Sequence, residues 1–370
     1  MPALEPISFA RGAPSADIMP AEDLRAAAQE VLAADPAGAL GYGVGSGYAP
    51  LRQWIAERHG VELERVLVTN GSLQGGVMLF DHLVEPGEPV VVEAPSYDRT
   101  LLALEERGAE LIALPLQEDG LDVGALDQTL EAGARPSFVH TIPNFHNPAG
   151  CTLSLEKRHR LLELAAEHDF LIFEDDPYAE LRFQGEDLPR MLDLDTSDRV
   201  VYASSFSKTI SPGVRVGYLI GPPDLIAAIT RAAVNTYLSP NMLSEAIVFQ
   251  FCRSGAIDRS IATVKEALRA RRDALAEGLR GYVGEDARFV LPEGGYFLWV
   301  ELPDEVDTSE LHTLAAERGV TFVVGRDFML EGGTSALRLA YSAVTPEQAD
   351  EGVKRLAESL AALREGAAAV

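Results

Sequence analysis

The chain is short of cations, of cysteine and of any long apolar run. Its 370 residues carry 31 lysines and arginines against 57 aspartates and glutamates, a formal charge of −26. A surface of that sign repels nucleic acid and anionic membrane, so neither is expected as a partner. Two cysteines, Cys151 and Cys252, have neither the number nor the spacing of a disulfide framework or a zinc site. They fit a reducing compartment, the cytoplasm. No apolar run approaches the roughly 18 residues that a spanning helix needs. The first residues, Met1-Pro2-Ala3-Leu4-Glu5, lack a basic region followed by an apolar core, so no signal peptide is expected. The histidines (His59, His82, His140, His146, His159, His168 and His312) show no metal-ligand spacing, and no metal is expected. His140, inside an apolar strand, reads as a satisfied core histidine. The stretch from Gly38 to Gly47 is dense in glycine but holds no G-x-x-x-x-G-K-[ST] motif, which excludes a P-loop. It reads equally as a linker, a cradle or an arm reaching another subunit.

Scarcity makes one lysine informative. Of four lysines, Lys157, Lys265 and Lys354 sit in polar helical runs beside arginine or glutamate. Lys208 alone lies between two apolar strands, in Ser204-Ser205-Phe206-Ser207-Lys208-Thr209-Ile210-Ser211-Pro212-Gly213-Val214-Arg215. Serine hydroxyls and an arginine suit a phosphate, which accepts several charge-assisted hydrogen bonds at once. A lysine beside them suits a Schiff base with a carbonyl. Together they describe a pocket for an aldehyde carrying its own phosphate, and pyridoxal 5′-phosphate is the candidate.

The rest of the chain has the texture of an α/β protein. Residues 1–20 read as extended, and a helix is predicted over 21–34. From 51 to 245 helix-like segments alternate with seven strand candidates, at 66–70, 89–94, 110–116, 137–143, 170–174, 200–204 and 216–221. Most are continuous apolar runs, as expected of a mostly parallel sheet covered on both faces. Beyond Pro240 the pattern becomes α+β. A long charged helix spans about 257–280, short strands are expected at 287–291, 296–301, 320–324 and 336–341, and a helix closes the chain from Pro346. This divides the chain into an N-terminal arm and helix (1–50), a large ligand-binding domain (51–245) and a smaller domain (246–370).

Ligands of parallel α/β sheets sit beyond the carboxyl ends of the strands. Those ends deliver Asn70-Gly71-Ser72-Leu73, opening a helix whose free N–H groups suit an anion. They also deliver Pro95-Ser96-Tyr97, Asn144-Phe145-His146-Asn147-Pro148-Ala149-Gly150, Asp175-Asp176-Pro177-Tyr178 and the lysine loop. Each feature alone has a plainer reading: Asp175 as a cap, Asn147-Pro148 as a turn, Tyr97 as a core aromatic. Their agreement on one sheet edge is what carries weight.

On these motifs, and over essentially its whole length from Phe9-Ala10-Arg11-Gly12 to Arg338, the chain resembles the fold-type I, pyridoxal-phosphate-dependent class I aminotransferases. Its nearest likeness is the 2-aminoadipate/kynurenine/aromatic branch. The resemblance implies transamination between an L-amino acid and a 2-oxo acid, with Lys208 as the lysine that holds the cofactor and moves the proton. It implies that Asp175 faces the pyridine nitrogen, the Asp-x-Pro-Tyr spacing favouring it over Asp176. Tyr178 and Asn147 are then expected on the ring oxygen and Tyr97 on the ring face. Arg215, Ser205, Ser207 and the backbone of Ser72 and Leu73 are expected on the phosphate; Leu73 stands where glutamine is usual, so only its N–H can serve. Arg338, a charge inside the apolar strand 336–341, is implied as the fork for the substrate carboxylate, against the plain alternative of an edge-strand arginine facing water. Tyr42 is implied to reach the neighbouring subunit's site, making a homodimer with shared active sites. Gly12 lines the entrance, and Arg11, where glycine is common, is a candidate for meeting an acidic or polar substrate side chain. A pyridoxal-phosphate lyase or decarboxylase would share every cofactor contact and stays open here. A DNA-binding regulator with this fold is not expected, because the aminotransferase-like pattern starts near residue 7.

Overall fold

The structure, a computed structural model, describes residues 5–368. Its strands are β1 (Ile7–Ser8), β2 (Val66–Thr69), β3 (Pro89–Ala94), β4 (Glu110–Gln117), β5 (Gly120–Leu121), β6 (Phe138–Thr141) and β7 (Leu171–Asp175). They continue with β8 (Val200–Ser205), β9 (Gly217–Ile220), β10 (Phe297–Glu301), β11 (Val320–Thr321), β12 (Val323–Val324) and β13 (Ala336–Ala340). The large sheet has the order β2-β9-β8-β7-β6-β3-β4-β5. All seven strands expected from the sequence are in it, and the eighth, β5, is a two-residue hairpin partner of β4. The run from β8 through β7, β6 and β3 to β4 is parallel, and β9 runs antiparallel between β8 and β2.

Alternate residues of these strands feed two different cores, which is why their apolar runs are unbroken. Val66, Val68, Val91, Val139, Ile172, Val200 and Tyr202 join one core, with the helices Ala21–Ala34, Ala49–His59, Leu155–His168 and Met242–Arg253. Leu67, Val90, Val92, Phe138, Phe173, Val201 and Ala203 join the other, under Ser72–Leu83, Asp98–Glu105 and Pro223–Tyr237. The helix Ala256–Gly278 spans two regions of packing. Ala256, Ile257 and Ile261 belong to the first core, whereas Val264, Leu268 and Leu275 enter a third one built on the C-terminal strands.

That third region holds the antiparallel sheet β10-β13-β12. Arg338 sits in its central strand, facing Trp299 on one side and Val323 on the other, and is buried. The edge-strand alternative is therefore excluded. Two expectations fail here. Residues 287–291 form no strand, only a bridge between Arg288 and Glu301. The stretch 320–324 is broken at buried Phe322, so that β11 pairs with β1 while β12 pairs with β13.

A fully buried arginine braces the large sheet. Arg158 donates to the carbonyls of Leu153 (3.0 Å), Pro189 (2.9 Å) and Pro143 (3.2 Å) and to Asn144 Oδ1 (2.8 Å). It also faces two buried acids, Glu174 and Asp176, whose carboxyls burial raises to about 7 and about 6. Removing one partner of such a cluster strands the remaining charge and costs about 3–5 kcal/mol. Arg158→Leu is expected to lower the urea midpoint accordingly; an unchanged midpoint would refute this bracing role.

Candidate active site

The carboxyl edge of the large sheet opens into a cavity of about 360 Å³. Gly12, Ser72, Leu73, Tyr97, Asn147, Asp175, Tyr178, Ser205, Ser207, Lys208, Arg215 and Arg338 all line it. Of the residues singled out from the sequence, Arg11 and Tyr42 are the two outside its walls.

One end suits an anion. Ser72 and Leu73 open the helix Ser72–Leu83, and the N–H groups of a first turn have no partner within their own helix. Arg215 stands beside that turn in the left-handed conformation, φ 52, donating from Nη2 to the Asn70 carbonyl at 3.1 Å. Two glycines permit the approach. A Cβ on Gly71 would collide with the Arg215 guanidinium, and one on Gly217 with the Ser72 nitrogen. At the same edge, Ser205 Oγ accepts from the Ser207 N–H at 3.1 Å. Cation, helix N-terminus and hydroxyls together form a cradle for a phosphate.

Lys208 lies between this cradle and Arg338. Its Nζ donates to the Gly12 carbonyl at 2.6 Å and faces the rings of Tyr296 and Tyr178 at 5.2 and 5.7 Å. Its backbone carbonyl accepts from the Tyr296 hydroxyl at 3.0 Å. Burial, followed by the nearby Arg338, pulls the ammonium down to about 8 despite the opposing charge of Asp175. A neutral amine, the nucleophilic form, is therefore accessible near neutral pH.

Asp175 ends β7 and lines the cavity, whereas Asp176 turns away to accept from Asn144 Nδ2 at 2.9 Å. Asp175 Oδ1 is buried with no hydrogen-bond partner among the described residues, so it is available to a ligand's N–H. Its Oδ2 lies 3.8 Å from His140 Nε2. The expectation of a satisfied core histidine fails, because neither ring nitrogen of His140 has a hydrogen-bond partner among the described residues. Burial pushes the Tyr178 phenol far up, and that of Tyr97 up to about 12, with Asp98 and Asp175 adding to the latter. Both phenols stay protonated over the ordinary pH range.

Arg338 reaches the opposite end. Nη1 donates to Asn147 Oδ1 at 2.9 Å and Nη2 to the Ala10 carbonyl at 2.8 Å. Its guanidinium lies between the rings of Phe297 (4.4 Å) and Phe328 (4.8 Å), and its Nε has no partner among the described residues. Gly12 must be small, since a Cβ there would strike the Phe297 ring. Arg11 is exposed and does not line this cavity; its backbone carbonyl accepts from Ser342 Oγ at 3.4 Å. The cavity wall instead carries Asp98 and Arg99, which the sequence reading passed over together with Phe297 and Tyr296. A charged pair directly after a strand-end tyrosine was the available signal. Tyr42 is 91% exposed, on the loop joined to the 239–242 segment by the Gly43 N–H to Ser239 Oγ bond.

Comparison with known proteins gives the same picture. The family model for aminotransferase class I and II matches residues 5–356. Aromatic-amino-acid aminotransferase 1 of Thermococcus litoralis is 35% identical over 365 residues, which cover 96% of this chain and 88% of that protein. The α-aminoadipate aminotransferase of Thermus thermophilus, solved with N-(5′-phosphopyridoxyl)-L-leucine, superposes with a TM-score of 0.93 at 35% identity, covering 97% and 93% of the two chains. Pyrococcus horikoshii kynurenine aminotransferase gives 0.92 at 34%, covering 96% and 91%.

The lowered lysine can be tested chemically. Reductive labelling with a small aldehyde and borohydride is expected to mark Lys208, with a rate that rises through a midpoint near pH 8 rather than 10.5. Label confined to other lysines, or a midpoint above 10, would contradict the environment described.

Proposed function

The chain belongs to the class I and II aminotransferases, enzymes that use pyridoxal 5′-phosphate to move an amino group between an amino acid and a 2-oxo acid, and from that premise we propose which of its residues do so and on which substrates. The observation that carries the proposal is the meeting of Lys208, Asp175 and Arg338 in one cavity beside an anion cradle. These residues fit the cofactor: an unpartnered buried carboxylate oxygen for the ring nitrogen, a cradle for the phosphate and an amine of lowered pKa for the aldehyde. When bound, pyridoxal phosphate supplies an electron sink that stabilises negative charge on the substrate α-carbon.

Everything else falls to the protein. Arg215, Ser205, Ser207 and the first-turn N–H groups of Ser72 and Leu73 hold the phosphate. Tyr97 covers the ring face, Asp175 keeps a proton on the ring nitrogen, and Tyr178 and Asn147 take the ring oxygen. Lys208 would hold the cofactor through Nζ, and its amine, when free, would serve as the general base and acid that moves the substrate's Cα proton. Arg338 grips the α-carboxylate by two parallel hydrogen bonds. Phe297 and Tyr97 line the cavity beside Arg338, and we assign aromatic and large aliphatic L-amino acids as donors. The aromatic-amino-acid aminotransferase of Thermococcus litoralis and the leucine adduct of the Thermus thermophilus structure support this choice.

The working unit is a homodimer with shared sites. Leu40, Tyr42, Val44 and Leu238 are exposed apolar side chains of the adjoining 40–44 and 238–242 segments, and Asn241 N–H bonds Asn70 Oδ1 beside the phosphate cradle. An apolar patch bordering a catalytic cavity suits a partner that reaches into it, with Tyr42 as the reaching residue. Unpaired Cys151 and Cys252, both buried, suit the cytoplasm.

A donor panel followed through cofactor absorbance in half-reactions is expected to favour phenylalanine, tyrosine and leucine over glycine and serine; the reverse order would remove the donor assignment. Arg338→Ala is expected to lower kcat/KM for every donor by roughly 10²- to 10³-fold while cofactor content stays full. Light scattering is expected to give twice the chain mass, and a monomer that is fully active would sink the shared-site reading.

A further inference from the structure

The loop after β6 places Asn147 in the cavity, yet two buried polar side chains beside it have no part in the chemistry assigned above. His146 and Glu93 are both buried, and the first is encircled by its own loop. The His146 N–H donates to the Cys151 carbonyl at 2.9 Å, and the His146 carbonyl accepts from the Gly150 N–H at 2.7 Å. The Ala149 N–H donates to Nδ1 at 3.2 Å, so Nδ1 carries no proton and Nε2 does. That Nε2–H meets Glu93 Oε2 at 2.9 Å.

Glu93 is built to receive it. The same carboxylate accepts from the Ile142 N–H at 3.0 Å and the Thr141 hydroxyl at 2.7 Å. Burial alone would raise its carboxyl, but the hydrogen bonds it takes from His146 and Thr141 work against burial, and it lies below the ordinary value. It stays ionised and takes three donors.

The loop needs such an anchor. Phe145 is held at φ 50, a conformation costly for a bulky side chain, which persists only where its surroundings over-determine it. The sheet order β7-β6-β3 offers one anchor on each side. On the β7 side Asn144 Nδ2 donates to Asp176 Oδ2 at 2.9 Å, and on the β3 side His146 meets Glu93. Asn147 follows directly, and its Oδ1 accepts from Arg338 Nη1.

We infer that His146 is a positioning residue: through Glu93 and the Ala149 amide it holds Asn147 at the place where Asn147 meets Arg338 and the cofactor's ring oxygen. The inference rests on the role given to Asn147 above. A plain packing role for His146 predicts lost stability alone. A positioning role predicts a defect that runs through Asn147.

The test compares holoenzyme variants His146→Leu, His146→Gln, Glu93→Gln and Asn147→Ala. It follows single-turnover half-reactions, the pH midpoint of the bound cofactor's absorption change and the denaturation temperature. His146→Leu is expected to slow the half-reaction about 10- to 100-fold, as small misplacements of catalytic groups do. It should also move the absorption midpoint up by about half a pH unit, because a hydrogen bond to the ring oxygen is lost. His146→Gln, whose amide can donate to Glu93, is expected to recover most of both. In a double-mutant cycle His146→Leu should add less than about two-fold to Asn147→Ala. Effects that multiply, or a His146→Leu enzyme altered only in denaturation temperature, overturn the inference. Should His146→Leu fail to fold, the isosteric Glu93→Gln decides: its midpoint and rate move if the inference holds and stay put if it does not. An Asn147→Ala enzyme that behaves as the parent overturns the inference too, and locates the fault in the role of Asn147 rather than in His146.

Discussion

The site depends on the reversal of a single strand. β9 runs against its neighbours, and its register sets Gly217 beside both Ser205 and Thr69. The residue that enters β9, Arg215, therefore arrives at the same edge as the ends of β8 and β2 and the start of the helix Ser72–Leu83. A parallel β9 of four residues would carry that arginine to the far edge, roughly 13 Å away. The two glycines of the cradle follow from the same crowding: three strand ends and a helix start meet where no Cβ fits. The phosphate cradle is a consequence of topology before it is one of residue choice.

Charge is handled in a corresponding way. In a chain of net charge −26, several arginines are drawn inside, among them Arg158, Arg271, Arg272 and Arg338. Most are fully occupied: Arg271 donates to the Ser342 carbonyl, Ser15 and Asp17, and Arg272 to the Pro292 carbonyl, Asp273 and Gln184. A planar fork with five donors can close such a ring of acceptors, which an ammonium cannot. Arg338 departs from this rule with its open Nε, as Asp175 does with its open Oδ1. Unpartnered polar atoms also occur away from the cavity, at Asp176 Oδ1 and Glu245 Oε1. What distinguishes Arg338 and Asp175 is that both residues line the cavity, near the lysine whose ammonium they perturb.

Much of this was legible in the sequence, and the failures are instructive. Continuous apolar runs gave away the seven large-sheet strands, because each face of that sheet lies under helices. The lysine loop and Asp-x-Pro-Tyr could be read because their residues act from strand ends fixed by local pattern. The pairing of His146 with Glu93 could not, since Glu93 lies 53 residues earlier on a neighbouring strand and nothing local marks the pair. His140 was misread for the same reason: its proximity to Asp175 exists only once β6 and β7 are aligned, with His140 opposite Phe173. The broken strand at 320–324 needed knowledge of β1, which arrives from the other end of the chain. Arg11 and Arg99 show the converse. Arg11, beside the motif, is not among the cavity-lining residues, and Arg99, two residues beyond a strand-end tyrosine, is.

The arm at the start of the chain then sets a distance that neither packing region could set alone. Phe9 extends the pairing of β1, donating to the Thr321 carbonyl and accepting from the Ala340 N–H. The carbonyls of Ala10 and Gly12 hold Arg338 Nη2 and Lys208 Nζ respectively. Carbonyls two residues apart on an extended chain face the same way, roughly 7 Å from one another. The arm thus spaces the cation on β13 from the cation after β8, with one end on each. Arg338 is further confined between two aromatic rings and by Asn147. The cost of orienting it is met in folding, and a group held in this way loses little freedom on meeting an anion.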